Sequence, residues 1–300
     1  MLRDGAGNRV PPVPVREAAP VTVDDGRALV AALRAAGCVF AEEEAQILRE
    51  AAADEDALAA LLARRVAGEP LEHVVGWAEF DGLRVAVEPG VFVPRRRSEA
   101  LVVVAAGLVG PTATVLDLCC GSGALGLAVA TRVPGVTLHA SDVDPPAVRV
   151  ARRNLRAVAG RVREGDLFGA LPATLRGRFD LVLANVPYVP HDELRLMPRE
   201  ARDHEPSAAL DGGADGLALL RRAAADATAW LSPGGALVSE VNPAQVAAAA
   251  AALRSGGLLV RTVTPEDDDE TVVLVGTRPG HRGRGLPEAA AGADGASATS

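Results

Sequence analysis

The segment 113-ATVLDLCCGSGALGLAVA-130 constrains the fold more than any other part of the sequence. An apolar run ends at Asp117, a tight loop carries Gly121 and Gly123, and an apolar run that suits a helix follows. Because glycine reaches positive φ angles and lets the backbone approach a ligand, this strand–loop–helix pattern is typical of ligand-binding α/β folds. Nucleotide, dinucleotide and adenosyl-ligand folds share it, so the pattern predicts an architecture without naming the ligand.

Strand and helix patterns alternate from about residue 98 to residue 278. The first strands are continuous apolar runs, which indicates a sheet covered on both faces. The alternation predicts a doubly wound, mostly parallel, Rossmann-like α/β sheet, whose ligands bind at the carboxyl ends of the strands. The predicted strands are 113–118, 136–141, 179–184, 235–240 and 271–276, with alanine-rich helices between them.

Before residue 98, the spacing of apolar residues differs from the strand–helix alternation that follows. Helical spacing of apolar residues predicts a small N-terminal helical domain over 24–76. In 77–97, alternating runs flank Asp81-Gly82, which is a strong hairpin signal, so this segment predicts a β-hairpin linker before the domain of 98–278. The predicted helices are 24–36, 41–53 and 55–68, and we expect a flexible leader over 1–23 and a disordered tail over 279–300.

Composition and charge narrow the class of protein. Hydrophobic residues make up 49% and charged residues 23%, as in a globular protein, and the net charge of -8 argues against a surface that coats nucleic acid. The three cysteines are too few for a disulfide framework and lack metal-binding spacing, and no signal peptide or membrane-spanning run is visible. We therefore expect a soluble cytoplasmic protein without a metal site, and we expect a monomer.

The string G-S-G-A-L-G at 121–126 formally matches the dinucleotide-binding fingerprint. Asp117 separates the two interpretations, because an acid at the end of the strand repels a pyrophosphate and attracts a cationic ligand. S-adenosylmethionine carries an ammonium group and a sulfonium group and no phosphate. The loop therefore favours S-adenosylmethionine as the cofactor.

Acids at two further strand ends suit the same cofactor. Asp142 lies about twenty residues beyond the glycines, where an acid can accept hydrogen bonds from both ribose hydroxyls. Asp144 precedes a proline and is interpreted as the N-cap of the next helix. Asp166 is a candidate acceptor for the adenine amino group and Leu167 a candidate packing surface for the adenine ring. An ordinary acidic loop explains this last pair nearly as well.

Asn185-Val186-Pro187-Tyr188 follows the predicted strand 179–184. Asn and Pro favour turns, so a turn is the simplest explanation. Beside a methyl donor, however, the Asn185 side-chain oxygen and the Val186 carbonyl oxygen could accept the two N–H groups of an amide. Pro187 would hold Val186 extended, and Tyr188 would supply a flat wall. Such a site works by positioning the acceptor and needs no strong general base.

With these motifs, the chain resembles the HemK/PrmC family, the protein-(glutamine-N5) methyltransferases that modify peptide release factors. The resemblance spans about 25–277 and is most specific in 68-GEPLEHVVGWAEFDGLRVAVEPGVFVPR-95, 205-EPSAALDGGADGL-217 and 231-LSPGGALVSE-240. It implies a class I S-adenosylmethionine-dependent methyltransferase fold and an N-terminal domain that recognises the substrate. It further implies a protein substrate with an exposed glutamine, such as a release factor.

The resemblance also assigns site residues. It places the cofactor at Asp117, Cys119, Cys120, Gly121, Ser122, Gly123, Asp142, Asp166 and Leu167. It places the acceptor at Asn185, Val186, Pro187 and Tyr188, which occupy the family's Asn-Pro-Pro-Tyr motif.

The chain departs from the family pattern at three places. Val186 replaces the first proline of Asn-Pro-Pro-Tyr, Cys119-Cys120 replaces a pair that is usually Gly-Thr, and Arg96-Arg97-Ser98 stands where Pro-Glu-Thr is usual. These differences indicate a diverged paralogue. Two alternatives remain open: a methyltransferase for the N6 amino group of adenine in nucleic acid, which uses a similar motif, and a cofactor-binding protein that has lost turnover.

Overall fold

The computed structural model describes residues 26–264 and 271–280. The chain divides into two compact units at the junction of Val75 and Gly76. The predicted leader (1–23) and all but the first two residues of the predicted tail (279–300) lie outside the described residues. No helix in the described ranges is both long and apolar enough to cross a lipid bilayer.

The first unit is helical, and its first three helices confirm the predicted ones. They pack around fully buried leucines that include Leu29, Leu33 and Leu48. Asp54 caps the third helix by accepting a hydrogen bond from the backbone N–H of Ala57 at 2.8 Å. The helices are α1 (Gly26–Ala35), α2 (Ala41–Ala51), α3 (Glu55–Val66) and a short α4 (Leu71–Val75), which the sequence pattern does not predict.

The second unit contains a two-stranded hairpin and a seven-stranded sheet flanked by helices. Its strands are β1 (Trp77–Phe80), β2 (Leu83–Ala86), β3 (Thr114–Leu118), β4 (Thr137–Asp142), β5 (Arg161–Glu164), β6 (Phe179–Ala184), β7 (Leu231–Val241), β8 (Leu259–Val263) and β9 (Val272–Thr277). Its α-helices are α5 (Glu99–Ala106), α6 (Ala124–Arg132), α7 (Pro145–Asn154), α8 (Arg199–His204), α9 (Ala218–Trp230) and α10 (Val246–Ser255).

The strands of the large sheet lie in the order β5-β4-β3-β6-β7-β9-β8. Neighbours from β5 to β7 are parallel, whereas β9 is antiparallel to both β7 and β8. This order confirms the predicted mostly parallel, doubly wound sheet. The chain runs from β3 outwards to β5 and then returns to β6 on the other side of β3. A crevice therefore opens at the carboxyl ends of β3 and β6.

All five predicted strands form, as β3, β4, β6, β7 and β9. The edge strands β5 and β8 are not among them. Both are composed mostly of partly or fully exposed residues, with the sequences RVRE and LVRTV. Strands at the edge of a sheet bury less side-chain area, so these two lack the continuous apolar run that identifies the central strands.

Apolar helices cover both faces of the large sheet. Leu101 of α5 and Val129 of α6 lie in one buried layer, and Leu220 of α9 and Leu253 of α10 lie in the layer on the other face. The β1–β2 hairpin joins the α5–α6 layer, because Phe80 and its neighbour Val85 are fully buried there. The predicted hairpin is therefore packed into the second unit.

Candidate active site

A cavity of about 350 Å³ lies at the carboxyl ends of β3, β4 and β6. It brings together most of the residues that the sequence assigns to the cofactor and to the methyl acceptor. Those that line it are Cys119, Cys120, Gly121, Ser122, Asp142, Asp166, Leu167, Asn185, Val186, Pro187 and Tyr188. Asp117 and Gly123 do not line the cavity.

Asp117 lies beneath the glycine loop, fully enclosed. Its Oδ2 accepts a hydrogen bond from the backbone N–H of Gly126 at 2.9 Å, and burial raises the pKa of Asp117 to about 8. A Cβ atom at Gly126 would come within 3.0 Å of that oxygen. The glycine that completes the dinucleotide-like string is therefore required for packing against Asp117. The structure thus shows Asp117 in contact with the first turn of α6.

Gly123 has a structural role of the same kind. It has a φ of 79° at the start of α6, and a Cβ atom there would come within 3.1 Å of the Leu155 side chain. The carbonyl oxygen of the preceding residue, Ser122, accepts a hydrogen bond from Asn154 Nδ2 at 2.8 Å. Asn154 also exchanges two hydrogen bonds with the backbone of Ala86 in β2, so it ties the loop to the hairpin. The sequence pattern did not identify Asn154.

Asp142 connects the glycine loop to the end of β4. Its Oδ2 accepts from the N–H of Gly121 at 2.8 Å, and its Oδ1 accepts from the N–H of Asp144 at 2.9 Å. Burial raises the pKa of Asp142, against the opposing effect of these backbone hydrogen bonds. Asp144 caps α7 by accepting from the N–H of Ala147, as predicted. Asp142 therefore faces the cavity with both oxygens already fixed in place.

Two residues of the cavity lining have left-handed backbone conformations without being glycine. Cys119 has a φ of 56° and Leu167 a φ of 47°. Such conformations cost about 1–3 kcal/mol each and persist where the surrounding structure imposes them, often at functional sites. Burial, with Asp142 nearby, raises the pKa of the Cys119 thiol to about 12. Cys119 is therefore a neutral packing residue of the cavity wall.

Asp166 lines the same cavity as the glycine loop. Its Oδ2 accepts a hydrogen bond from Arg222 Nη2 at 2.5 Å, and both side chains are more than half exposed. The neighbouring Leu167 is buried and lines the cavity. This arrangement leaves an apolar surface with an acid beside it, which is the combination that an adenine ring and its amino group require.

The Asn185–Tyr188 motif forms the acceptor half of the cavity. The cofactor half is formed by the glycine loop, Asp142, Asp166 and Leu167. Val186 is buried in the layer formed by α9 and α10. The side-chain nitrogen of Asn185 donates to Ser98 Oγ at 3.2 Å. The carbonyl oxygen of Tyr188 accepts from Gln245 Nε2 at 2.8 Å, and the Val189 carbonyl oxygen accepts from the N–H of Gly212 at 2.8 Å. Neighbouring segments therefore hold the motif at several points.

Behind this motif lies Glu240, which is 3% exposed at the end of β7. Its carboxylate accepts from Arg97 Nε at 3.0 Å, from Ser98 Oγ at 2.5 Å and from the Tyr188 hydroxyl at 3.2 Å. Burial, followed by the charge of Glu240, raises the pKa of Tyr188 to about 12, so the phenol keeps its proton. The sequence pattern does not single out Glu240, although it stands at the carboxyl end of a predicted strand, where ligand-binding residues are expected.

Comparison with known proteins agrees with this geometry. The family model named methyltransferase small domain matches residues 82–200. A release factor glutamine methyltransferase of Streptomyces coelicolor is 43% identical over 186 residues, which cover 60% of this chain and 65% of that protein. A release factor glutamine methyltransferase of Gloeobacter violaceus is 42% identical over 200 residues, which cover 64% of this chain and 69% of that protein. The chain belongs to the HemK/PrmC family.

Other matches show how this HemK/PrmC chain relates to further methyltransferases. A 4-amino-L-phenylalanine/4-methylamino-L-phenylalanine methyltransferase of Streptomyces pristinaespiralis is 37% identical over 194 residues, 62% of this chain and 65% of that protein. The solved structure of a methyltransferase from Pyrococcus furiosus aligns with a TM-score of 0.51 at 18% identity, over 66% of this chain and 90% of that one. The second unit has the class I S-adenosylmethionine-dependent methyltransferase fold. The match to the S. coelicolor relative spans just under two thirds of that protein's length.

The cofactor half of this HemK/PrmC chain fits S-adenosylmethionine. Acids, Asp142 and Asp166, line it, which suits a cation better than a pyrophosphate. Gly121 has a φ of 53°, and a Cβ atom there would meet no protein atom within 4 Å, so the loop leaves room for a ligand. Ser141 also lines the cavity, and its buried hydroxyl has no hydrogen-bond partner among the described residues. A bound ligand would supply one.

Proposed function

We propose that the chain transfers a methyl group from S-adenosylmethionine to the side-chain amide nitrogen of a glutamine in a protein. The observation that carries the proposal is the placement of Asn185 in one cavity with Asp142 and the glycine loop. When bound, S-adenosylmethionine supplies a methyl group on a positively charged sulfur. The protein's task is then to present a weakly nucleophilic nitrogen to that methyl group.

The acceptor half suits an amide because it offers acceptors and no free base. An amide nitrogen carries two N–H groups, which the Asn185 Oδ1 and the Val186 carbonyl oxygen would accept. Tyr188 keeps its proton, and the Glu240 carboxylate already accepts three hydrogen bonds. Neither is therefore available as a general base. With the cofactor bound, Asn185 and Val186 would hold the amide nitrogen toward the methyl group that the cofactor supplies, and the proton that the nitrogen loses on methylation would pass to water.

The proposed substrate is a peptide release factor. Its support is the similarity to proteins named release factor glutamine methyltransferase.

We propose that the chain acts in the cytoplasm, where release factors work. Its three cysteines are free thiols, which is consistent with a reducing compartment. We also propose that it acts as a monomer, since residues of one chain suffice to build the cavity.

The test is methyl transfer by the purified full-length chain from isotope-labelled S-adenosylmethionine to a purified release factor, with tandem mass spectrometry of the product. We expect label on the side-chain nitrogen of one glutamine. A release factor that stays unlabelled, while the chain still binds the cofactor, would contradict the proposed substrate.

A second candidate acceptor is an aromatic amine on a free amino acid. Two observations favour it: the similarity to the enzyme for 4-amino-L-phenylalanine, and the cationic Arg97, whose side chain is 49% exposed at the cavity. A guanidinium can bind the carboxylate of an amino acid. Offering 4-amino-L-phenylalanine and the release factor together in the same reaction would decide between them, since label would accumulate on the preferred acceptor.

A further inference from the structure

Glu240 is the centre of a hydrogen-bond network that has only one consistent assignment of protons. Its two oxygens receive Arg97 Nε at 3.0 Å, Ser98 Oγ at 2.5 Å and the Tyr188 hydroxyl at 3.2 Å. An ionised carboxylate only accepts hydrogen bonds, so each of these three groups must donate. Arg97 forms a salt bridge with this buried carboxylate, which keeps the charge on Glu240 compensated.

This assignment determines the role of the Ser98 hydroxyl. A serine hydroxyl has one proton, and here that proton goes to Glu240. Towards Asn185, at 3.2 Å, the Ser98 oxygen can therefore only accept. The group of Asn185 that faces Ser98 must then be its NH₂, and its carbonyl oxygen must face away from Ser98. The shape of an asparagine side chain does not distinguish its oxygen from its nitrogen, but the hydrogen-bond network does.

We propose that Ser98 and Glu240 are positioning residues that hold the Asn185 side chain with its oxygen directed at the acceptor amide. This inference rests on the proposed function for the use of that oxygen. If the Asn185 side chain turned over, its NH₂ would face the N–H groups of the substrate, and two donors would meet. Because Ser98 is 2% exposed, water does not replace its hydroxyl easily. The network thus selects the productive orientation before the substrate arrives.

Tyr188 is fixed by the same carboxylate. Its hydroxyl accepts from Arg97 Nη2 at 2.6 Å and donates to Glu240 Oε1. One buried acid therefore orients both ends of the Asn185–Tyr188 motif. Arg97 and Ser98 belong to the triplet in which the chain departs from the usual Pro-Glu-Thr, and the serine retains the hydroxyl that the usual threonine provides. The role assigned to Ser98 requires only that hydroxyl.

The kinetic test compares Ser98→Ala, Ser98→Thr and Glu240→Gln in methyl transfer to a release factor. We expect Ser98→Ala and Glu240→Gln to lower kcat by about 10²-fold, the usual cost of a misplaced catalytic group, with KM for the release factor and Kd for the cofactor little changed. Ser98→Thr should restore kcat. Ser232→Ala is the matched control, because it removes a similar hydroxyl–carboxylate bond, to Asp180 Oδ1 at 2.8 Å, at the amino end of β7. It should leave kcat unchanged.

A second readout needs no substrate. The chain has few side-chain amides, at Asn8, Gln46, Asn154, Asn185, Asn242 and Gln245, so the Asn185 NH₂ signals can be assigned in nitrogen-15 NMR spectra through their loss in Asn185→Asp. We expect slow hydrogen exchange of one of these protons in the wild type and in Ser98→Thr, and fast exchange in Ser98→Ala and Glu240→Gln.

The two readouts separate the possible failures. If the wild type methylates no glutamine but the NMR signals respond as expected, the proposed function fails and the orientation of Asn185 stands. Unchanged exchange in both Ser98→Ala and Glu240→Gln would overturn the network, and so would full kcat in both folded variants. Ser98 precedes α5 and Glu240 lies in β7, so the test can still be read if one of the two variants fails to fold.

Discussion

The two halves of the cavity are built in different ways. In the cofactor half, backbone N–H groups of the glycine loop and the start of α7 bind one acid, Asp142, and all these groups come from 121–144. In the acceptor half, side chains meet from positions far apart in the sequence: Ser98, Asn185 and Glu240. The cofactor half is therefore a local sequence motif, whereas the acceptor half forms only when distant segments of the folded chain meet.

The largest expected effect comes from removing the acceptor-half amide. Asn185→Ala should lower the rate of methyl transfer by about 10³-fold, because it deletes an acceptor that orients the reacting nitrogen. Cofactor affinity should stay near that of the wild type, since Asp142 and the glycine loop are unchanged. Labelled-methyl transfer and calorimetry measure these quantities on the same preparation. Asn242→Ala, outside the cavity, is the matched control, and equal transfer by Asn185→Ala and Asn242→Ala would refute the role of Asn185.

An intermediate effect is expected in the cofactor half. Asp142→Ala should weaken cofactor binding by about 10–100-fold, since it removes the ribose acceptor and leaves two backbone N–H groups unpaired. Asp144→Ala is the informative comparison, because Asp144 caps α7. That variant should lose about 1 kcal/mol of unfolding free energy with a smaller change in cofactor affinity. Calorimetry and urea unfolding separate the two cases, and equal dissociation constants for wild type and Asp142→Ala would rule out the ribose role.

The smallest effect is expected at Val186. Its side chain is buried among apolar residues, and the proposed chemistry uses only its backbone carbonyl. Val186→Pro, which restores the family's usual residue, keeps that carbonyl and fixes φ, so it should change the transfer rate by no more than about threefold. A loss of activity as large as that of Asn185→Ala would show that Val186 itself selects the acceptor. Steady-state rates with a release factor provide the measurement.

The sequence predicts the fold well because its signals are local. Runs rich in apolar residues mark β3 and β6, and the Asp81-Gly82 pair marks the hairpin. The edge strands β5 and β8 are missed because exposed strands carry no such run. The position of Asp117 at the end of a strand is readable in the sequence, whereas its complete burial depends on how α6 packs.

The acceptor half shows where prediction from sequence ends. The sequence predicts a role for Asn185 and Tyr188 because they stand together at the end of a strand. The partners that orient them, Glu240 and Ser98, became visible only when β7 and the segment before α5 were placed beside them. Arg97 was noticed as an exception to the family pattern, and the structure gives it a definite partner in Glu240. Long-range hydrogen bonds of this kind leave no periodic signal in a sequence.

The proposed activity of this cavity is methylation of a side-chain amide. The most direct measurement incubates the purified chain with labelled S-adenosylmethionine and a cell lysate, and then identifies the labelled species by mass spectrometry. We expect a protein labelled on the side-chain nitrogen of a glutamine. Label on a nucleic-acid base or on a free amino acid would contradict it, as would a chain that binds the cofactor and transfers no label.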